Sequence, residues 1–191
     1  MPLSFPNGRR EIHQRVIDMK AYERDDGLYD VEAHLVDRKP FTTEVAGLAP
    51  PVPAGQARHD LSVRLTVDSQ YVVRAIEAAS DVTPYGVCKE AEASLSVMLG
   101  VQIAPGWSVK VKELLRGPAS CTHLMELLIP LGTTAWQGIG GLNSDKKRAA
   151  VDADGIPRKL DTCYAYGRSS EVVKFLWPQH FRPRGPDLPN A

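Results

Sequence analysis

The chain has 191 residues, 43% of them hydrophobic and 24% charged, and its 23 Lys and Arg residues balance 23 Asp and Glu residues. This composition is ordinary for a water-soluble folded domain, and the zero net charge excludes proteins that hold nucleic acid or membranes by a strongly basic surface. There is no apolar run of roughly 18 residues and no signal-peptide pattern at the start. The three cysteines lack paired spacing, so we expect reduced thiols and a cytoplasmic location.

The first half of the chain has the period-two alternation of β-strands. We predict strands over 10–22 and 28–38, joined by a hairpin turn at Asp25-Asp26-Gly27. The clearest alternation lies in 59–67, and 71–79 is assigned as a fourth strand in preference to a short helix.

The second half changes to helical spacing. The sequence predicts helices over 87–99 and 107–116, a third over 121–129 with Ser120 as its N-cap, and a last short element over 172–177. Pro130 and Gly132 are expected to bend or end the third helix, which 133–138 then resumes. Strands followed by helices predict an α+β fold, in which an antiparallel sheet of about four to five strands packs against helices from the C-terminal half.

The length favours a single domain over 1–191, with its core in 9–178. Two segments are predicted to be mobile loops, the Pro-rich 47–57 and the polar, glycine-bearing 139–159. Residues 179–191 read as a Pro-rich tail.

No Walker A, GxGxxG, GxSxG or HExxH motif is present. Glu32 and His34 lie two apart on a predicted strand and therefore share a face, which suits a general base with its orienting partner, or two metal ligands. A solvated polar face is an equally good interpretation.

His59 is in phase with the apolar residues of its strand and is therefore predicted to point inward, beside the Pro-rich loop where a pocket can lie. An inward histidine needs a hydrogen-bond partner, and a core-edge histidine bonded to a backbone carbonyl is the alternative. Asp60 points to the other face, so the two are not expected to form a simple dyad.

Cys121 and His123 fall at the start of the third predicted helix, with Glu126 one turn later. Unpaired N–H groups there favour a thiolate, so Cys121 is a candidate nucleophile. A metal site that combines Cys121 or His123 with His59 and Glu32 is a second interpretation, although Cys-x-His spacing is weak evidence for zinc. Cys88 and Cys163 are interpreted as packing residues.

Four blocks resemble, in the same order, a bacterial family known as domain of unknown function 2889: 24–39, 59–68, 121–127 and 160–163. The resemblance implies an occurrence in bacteria that degrade aromatic and steroid-like compounds, and a lyase that releases formaldehyde from lignin-type dimers. Its motif positions that can act chemically are Glu32, His59, Asp60, Cys121 and His123.

The leading hypothesis is a cytoplasmic enzyme, a lyase, of aromatic or phenolic catabolism that uses acid–base chemistry without a cofactor. The catalytic candidates are His59, His123, Glu32 and Asp60, with His59 or His123 as the base and Glu32 as its orienter or as a second proton carrier. The substrate-binding candidates are His34, Tyr29 and Cys121.

Two alternatives stay open. The first is a metal-dependent hydrolase or lyase with a divalent ion such as zinc, and the second is a non-catalytic binding module or accessory subunit. The expected partner is a small-molecule substrate, with neither nucleic acid nor membrane, and self-association as a homo-oligomer stays open.

Overall fold

The computed structural model describes residues 3, 4, 6–45, 47, 49–142 and 150–183. Chain contacts divide the protein into two compact units, 1–139 and 140–191. The single-domain organisation expected from the length stays a prediction. None of the helices in the described ranges has the length and hydropathy needed to cross a membrane.

The first unit is built on a four-stranded antiparallel sheet in the order β1-β2-β5-β6. These strands are β1 Gln14–Glu23, β2 Tyr29–Arg38, β5 Ala57–Val67 and β6 Val73–Val82; β3 Thr43–Val45 and β4 Ala49–Val52 form a separate two-stranded sheet. The predicted loop 47–57 therefore contains a short strand. With the helices that follow the sheet in the chain, the predicted α+β class is confirmed.

One face of the sheet is apolar and the other polar, because successive side chains of a strand point to opposite faces. Val31, Ala33 and Leu35 of β2 are buried, as are Leu61 and Val63 of β5. The residues between them, including Glu32, His34 and Arg64, form the polar face, where Arg64 pairs with Glu32 and Glu77 on the two neighbouring strands. The alternation thus decides which side chains of the strands point toward the helices and which point away from them.

The helices of the first unit share one hydrophobic core with the apolar face of the sheet. They are a run of 3-10 turns over Gly86–Met98, then α1 Trp107–Leu115 and α2 Thr122–Leu142. The 87–99 segment was expected to be an α-helix, and the tighter turns replace it. The helices at 107–116 and 121–129 are found within about one residue of their predicted starts.

Helix α2 continues through Pro130 and Gly132, so it does not end at these residues, and the alternative of a bend stays a prediction. Pro130 removes one helical hydrogen bond, at a cost of about 3 kcal/mol. The buried side chains of α2 include Leu124, Leu127, Leu128, Leu131 and Ile139. Each contributes about 1.5–3 kcal/mol, so their burial outweighs the proline.

The second unit has a small core of Leu160, Val173 and Trp177. Its helix α3 spans Glu171–Leu176, close to the predicted element at 172–177, and the hydroxyl of Ser170 caps it by accepting the N–H of Val173 at 3.1 Å. Of the predicted loop 139–159, the first four residues are helical, and 143–149 lie outside the described residues, as do 184–191 of the predicted tail.

We predict that Gly132→Ala destabilises the protein although alanine is the better helix former. A Cβ atom at Gly132 would lie 2.5 Å from Cδ1 of Trp107, whose indole N–H is fixed by a 2.8 Å bond to the carbonyl of Leu128. We expect a loss of about 1–3 kcal/mol in the free energy of unfolding, measured by urea denaturation. Gly141→Ala is the matched control in the same helix, because a Cβ there meets nothing within 4 Å. Equal effects of the two substitutions would contradict the prediction.

Candidate functional site

A buried carboxylate lies where the apolar face of the sheet meets the start of α2. Asp37 is 2% exposed, on the inward face of β2. Arg15 lies directly opposite on β1, and its guanidinium donates to both carboxylate oxygens, Nε to Oδ1 at 2.7 Å and Nη2 to Oδ2 at 2.8 Å. This two-point geometry is the strong form of the Arg–carboxylate pair, and it fixes the orientation of Asp37.

His59 lies opposite Asp37 on the other neighbouring strand, β5. Its Nδ1 is 3.1 Å from Oδ2 of Asp37. An ionised carboxylate only accepts hydrogen bonds, so Nδ1 carries the hydrogen and Nε2 keeps its lone pair. Asp37 therefore selects the tautomer of His59 that can take up a proton at Nε2, the role of the carboxylate in a catalytic His–Asp pair.

His123 joins this cluster from the first turn of α2. Its ring centroid is 4.0 Å from that of His59, and its Nε2 is 3.8 Å from Oδ2 of Asp37. His13 also approaches the carboxylate, with Nε2 3.4 Å from Oδ1. Three strands and one helix thus converge on one buried negative charge.

The pKa values of Asp37 and His59 follow from this packing. Burial raises the pKa of Asp37, but the bonds from Arg15 and the nearby His59 and His13 lower it by more, so the net pKa lies below the ordinary value. Burial and, to a lesser extent, the charge of His123 lower the pKa of His59, Asp37 opposes both, and the net pKa falls from 6.5 to about 4. His59 is therefore a neutral imidazole at pH 7.

Cys121 lies beside the second nitrogen of His123, with Sγ 3.9 Å from Nδ1. The helix begins at Thr122, and the carbonyl of Cys121 accepts the N–H of Met125, so Cys121 takes the N-cap position predicted for Ser120. Burial raises the pKa of the thiol, but hydrogen bonds from the side chain of His123 and from the N–H groups of Leu124 and His123 lower it by more.

His59, Cys121 and His123 line a cavity of about 650 Å³, a size typical of small-molecule sites. Its remaining walls are mostly apolar or hydroxyl-bearing and include Leu61, Ser80, Pro84, Val87, Ala91, Ser94, Pro118 and Ala119. The cavity places the histidine pair where a ligand with an apolar body can contact it.

The other candidate residues from the sequence lie elsewhere. Glu32, His34 and Asp60 lie on the polar face: Glu32 pairs with Arg64, and His34 Nε2 is 2.6 Å from Oδ1 of Asp60. Tyr29 is on the inward face of β2, eight residues and roughly 26 Å of strand from Asp37. The structure therefore brings together His59, His123 and Cys121, and the partner of His59 is Asp37 where Glu32 was expected.

Sequence reasoning missed Asp37, Arg15 and His13 as members of the site. Asp37 continues the phase of Val31, Ala33 and Leu35, and Arg15 is in phase with Met19 and Ala21, which pack against the core. A charged residue in phase with the apolar face of a strand was the signal available, and the same signal was used to single out His59.

Asp37, His59 and His123 can also hold a metal ion. Each offers one ligand atom, and these atoms all lie within 4.8 Å of one another. A tetrahedral ion with bonds of about 2.0–2.1 Å needs ligand atoms roughly 3.3 Å apart. The 3.1 Å and 3.8 Å distances from Asp37 Oδ2 bracket this value, so the donor set fits zinc or another divalent ion that two histidines and a carboxylate bind.

One family comparison covers this whole cluster. The family described as "Protein of unknown function (DUF2889)" matches residues 13–137, more than half of the chain. The chain belongs to the DUF2889 family. The match nearly coincides with the first unit, and the resembling block at 160–163 lies outside it. No curated protein and no solved structure matches the chain.

For this DUF2889 protein we predict that acid destabilises the fold through His59. Between pH 6.5 and about 4 the unfolded chain binds a proton at His59 that the folded protein does not, so the stabilising contribution is complete above pH 6.5 and is lost as the pH falls to about 4. His59→Asn keeps a donor for Asp37 but cannot titrate. Urea unfolding at about pH 7 and about pH 4.5 should show a pH-dependent loss that is roughly 1–3 kcal/mol smaller in the variant. Equal losses would refute the assignment.

Cys121 is predicted to be the most reactive thiol of the chain at neutral pH. Its pKa is lowered beside His123, whereas Cys163 is exposed and has no such neighbour among the described residues. Iodoacetamide should therefore modify Cys121 several times faster than Cys163, as followed by peptide mass spectrometry. In His123→Asn the advantage should disappear. A faster reaction at Cys163 in the unmodified protein would contradict this expectation.

Proposed function

We propose that this DUF2889 protein is a cytoplasmic lyase of small-molecule catabolism that cleaves a carbon–carbon bond by acid–base chemistry. One observation carries the proposal: the rings of His59 and His123 lie 4.0 Å apart, tilted by 37°, in the wall of a ligand-sized cavity, and a buried carboxylate fixes the tautomer of His59. Such an arrangement of base and orienting carboxylate suits proton abstraction from a bound hydroxyl group.

The two histidines act as one proton acceptor. Their rings are too close to carry two positive charges without mutual repulsion, which is one cause of the low pKa of His59. A proton taken by His59 at Nε2 is stabilised through Nδ1 by the negative charge of Asp37, which Arg15 holds in place. His59 is therefore neutral in the resting site, with Nε2 free of a proton at neutral pH.

The proposed substrate is a phenolic compound with a hydroxymethyl side chain, of the lignin-dimer type. The benzylic hydroxyl group first leaves as water together with the phenolic proton, which converts the ring to a quinone methide. The base then takes the proton of the hydroxymethyl group, the bond between that carbon and its neighbour breaks, and formaldehyde leaves. The bonding electrons form a carbon–carbon double bond and reduce the quinone methide to the phenolate of a stilbene. The apolar walls of the cavity suit the aromatic rings, and the step requires no organic cofactor.

The test uses a phenolic 1,2-diarylpropane-1,3-diol and measures released formaldehyde. The purified protein should release it, whereas His59→Asn and His123→Asn should each lower the rate by about 10²–10⁴. His180→Asn is the control, because His180 belongs neither to the cluster nor to the cavity wall. Full turnover in both cluster variants would overturn the proposal.

A metal-dependent hydrolase or lyase is the second candidate function. It is favoured because the ligand atoms of Asp37, His59 and His123 all lie within 4.8 Å of one another. It competes with the first, because Nδ1 of His59 either donates its hydrogen to Asp37 or ligates an ion. Arg15 places a positive charge on both oxygens of Asp37, which opposes a divalent ion there. Elemental analysis of untagged protein separates the candidates: one equivalent of zinc, iron or manganese, lost in Asp37→Asn, favours the metal.

A further inference from the structure

Ser80 has a buried hydroxyl group in the wall of the cavity and no hydrogen-bond partner among the residues that the structure describes. Its side chain is 4% exposed. Ser80 lies on the inward face of β6, where it pairs with Leu61, two residues from His59 along β5. The unpartnered hydroxyl and the base of the proposed reaction therefore line the same cavity from neighbouring strands.

Three other hydroxyl groups of the cavity wall, those of Ser94, Ser120 and Thr83, have partners within the protein. Ser94 Oγ lies 2.6 Å from the carbonyl of Ala91 and 2.7 Å from Oγ of Ser120. Because that carbonyl can only accept, Ser94 donates to it and Ser120 donates to Ser94. Thr83 donates to the carbonyl of Tyr85 at 2.9 Å. Ser80 differs from these residues, because its hydroxyl group can donate and accept a hydrogen bond but has no partner among the described residues.

An unpartnered hydroxyl is costly in a buried position, since it has lost its water and gained nothing in exchange. Alanine in its place would fill the strand position without that cost. The group is therefore explained if a rotation about χ1 turns the hydroxyl toward a ligand in the cavity, which then supplies the missing hydrogen bond.

We propose that Ser80 is the specificity-determining residue of the cavity, and that it binds the hydroxyl oxygen of a neutral ligand with an apolar body. A neutral ligand is favoured because the charged groups in the wall, Arg58 and Glu90, have opposite signs. Leu61, Val87 and Ala91 supply apolar contacts for the body of the ligand. This inference rests on the proposed function, since both need a ligand in this cavity.

The test compares 2-naphthol with 2-methylnaphthalene, which have nearly the same size and differ in the hydroxyl group. In Ser80→Ala the Kd of 2-naphthol should rise about fivefold, the value of one net hydrogen bond, while the Kd of 2-methylnaphthalene stays equal or falls. The Tm of the variant should be unchanged or higher, because the substitution removes an unpartnered polar group. A structural role for Ser80 would instead lower the Tm and weaken both ligands alike.

Ser62→Ala is the matched control, because Ser62 lies on the neighbouring strand and lines a separate depression on the polar face; it should change neither Kd. The inference is overturned if Ser80→Ala keeps the wild-type Kd for 2-naphthol, or if the wild-type protein binds neither compound. Formaldehyde release that depends on His59 would then still support the proposed function. Conversely, selective loss of 2-naphthol binding in Ser80→Ala with no His59-dependent turnover would support the binding site alone.

Discussion

The buried charge of Asp37 is the constraint on which the site depends. A carboxylate that is 2% exposed needs compensation, and Arg15, His59, His13 and His123 provide it from two neighbouring strands, the segment before β1 and the start of α2. Removing one partner of such a buried pair usually costs several kcal/mol, because the remaining charge is left uncompensated. The electrostatics therefore tie β1, β2 and β5 to the start of α2 beside the cavity.

The same interaction gives His59 its chemical character. Burial and the neighbouring His123 act against a positive charge on His59, while Asp37 acts for it, and the balance leaves the imidazole neutral. A fully solvated histidine would titrate near 6.5 and would be fixed in neither orientation nor tautomer. Here the fold holds one nitrogen against Asp37 and leaves the other to a ligand.

The sequence was sufficient for the elements with strong periodicity. The alternation in β2 and β5 predicted the two faces of the sheet, and it also predicted that His59 points inward while Asp60 does not. It was insufficient wherever tertiary packing decides the outcome. From the local sequence, Pro130 was expected to bend or end the helix, yet the residues after it remain helical because the leucines of α2 are buried on both sides of the proline. Glu32 was expected to orient His59 or His123, but it lies on the opposite face of the sheet from His59 and pairs with Arg64.

The part of the site that the sequence did not predict is the proximity of residues that are far apart in the chain. No local sequence pattern connects Arg15, Asp37, His59 and His123, whose successive members are 22, 22 and 64 residues apart in the chain. They come together because the strands pair antiparallel and because α2 packs on the sheet. Each of these residues is nevertheless recognisable from its local sequence. Arg15, Asp37 and His59 are polar residues in phase with the apolar residues of their strands, and His123 lies at the start of a helix. A charged side chain that points into the core needs a partner. When several such residues occur on neighbouring strands of one sheet, they are therefore expected to contact one another. That argument would have selected Asp37 over Glu32, because only Asp37 shares the apolar face with His59.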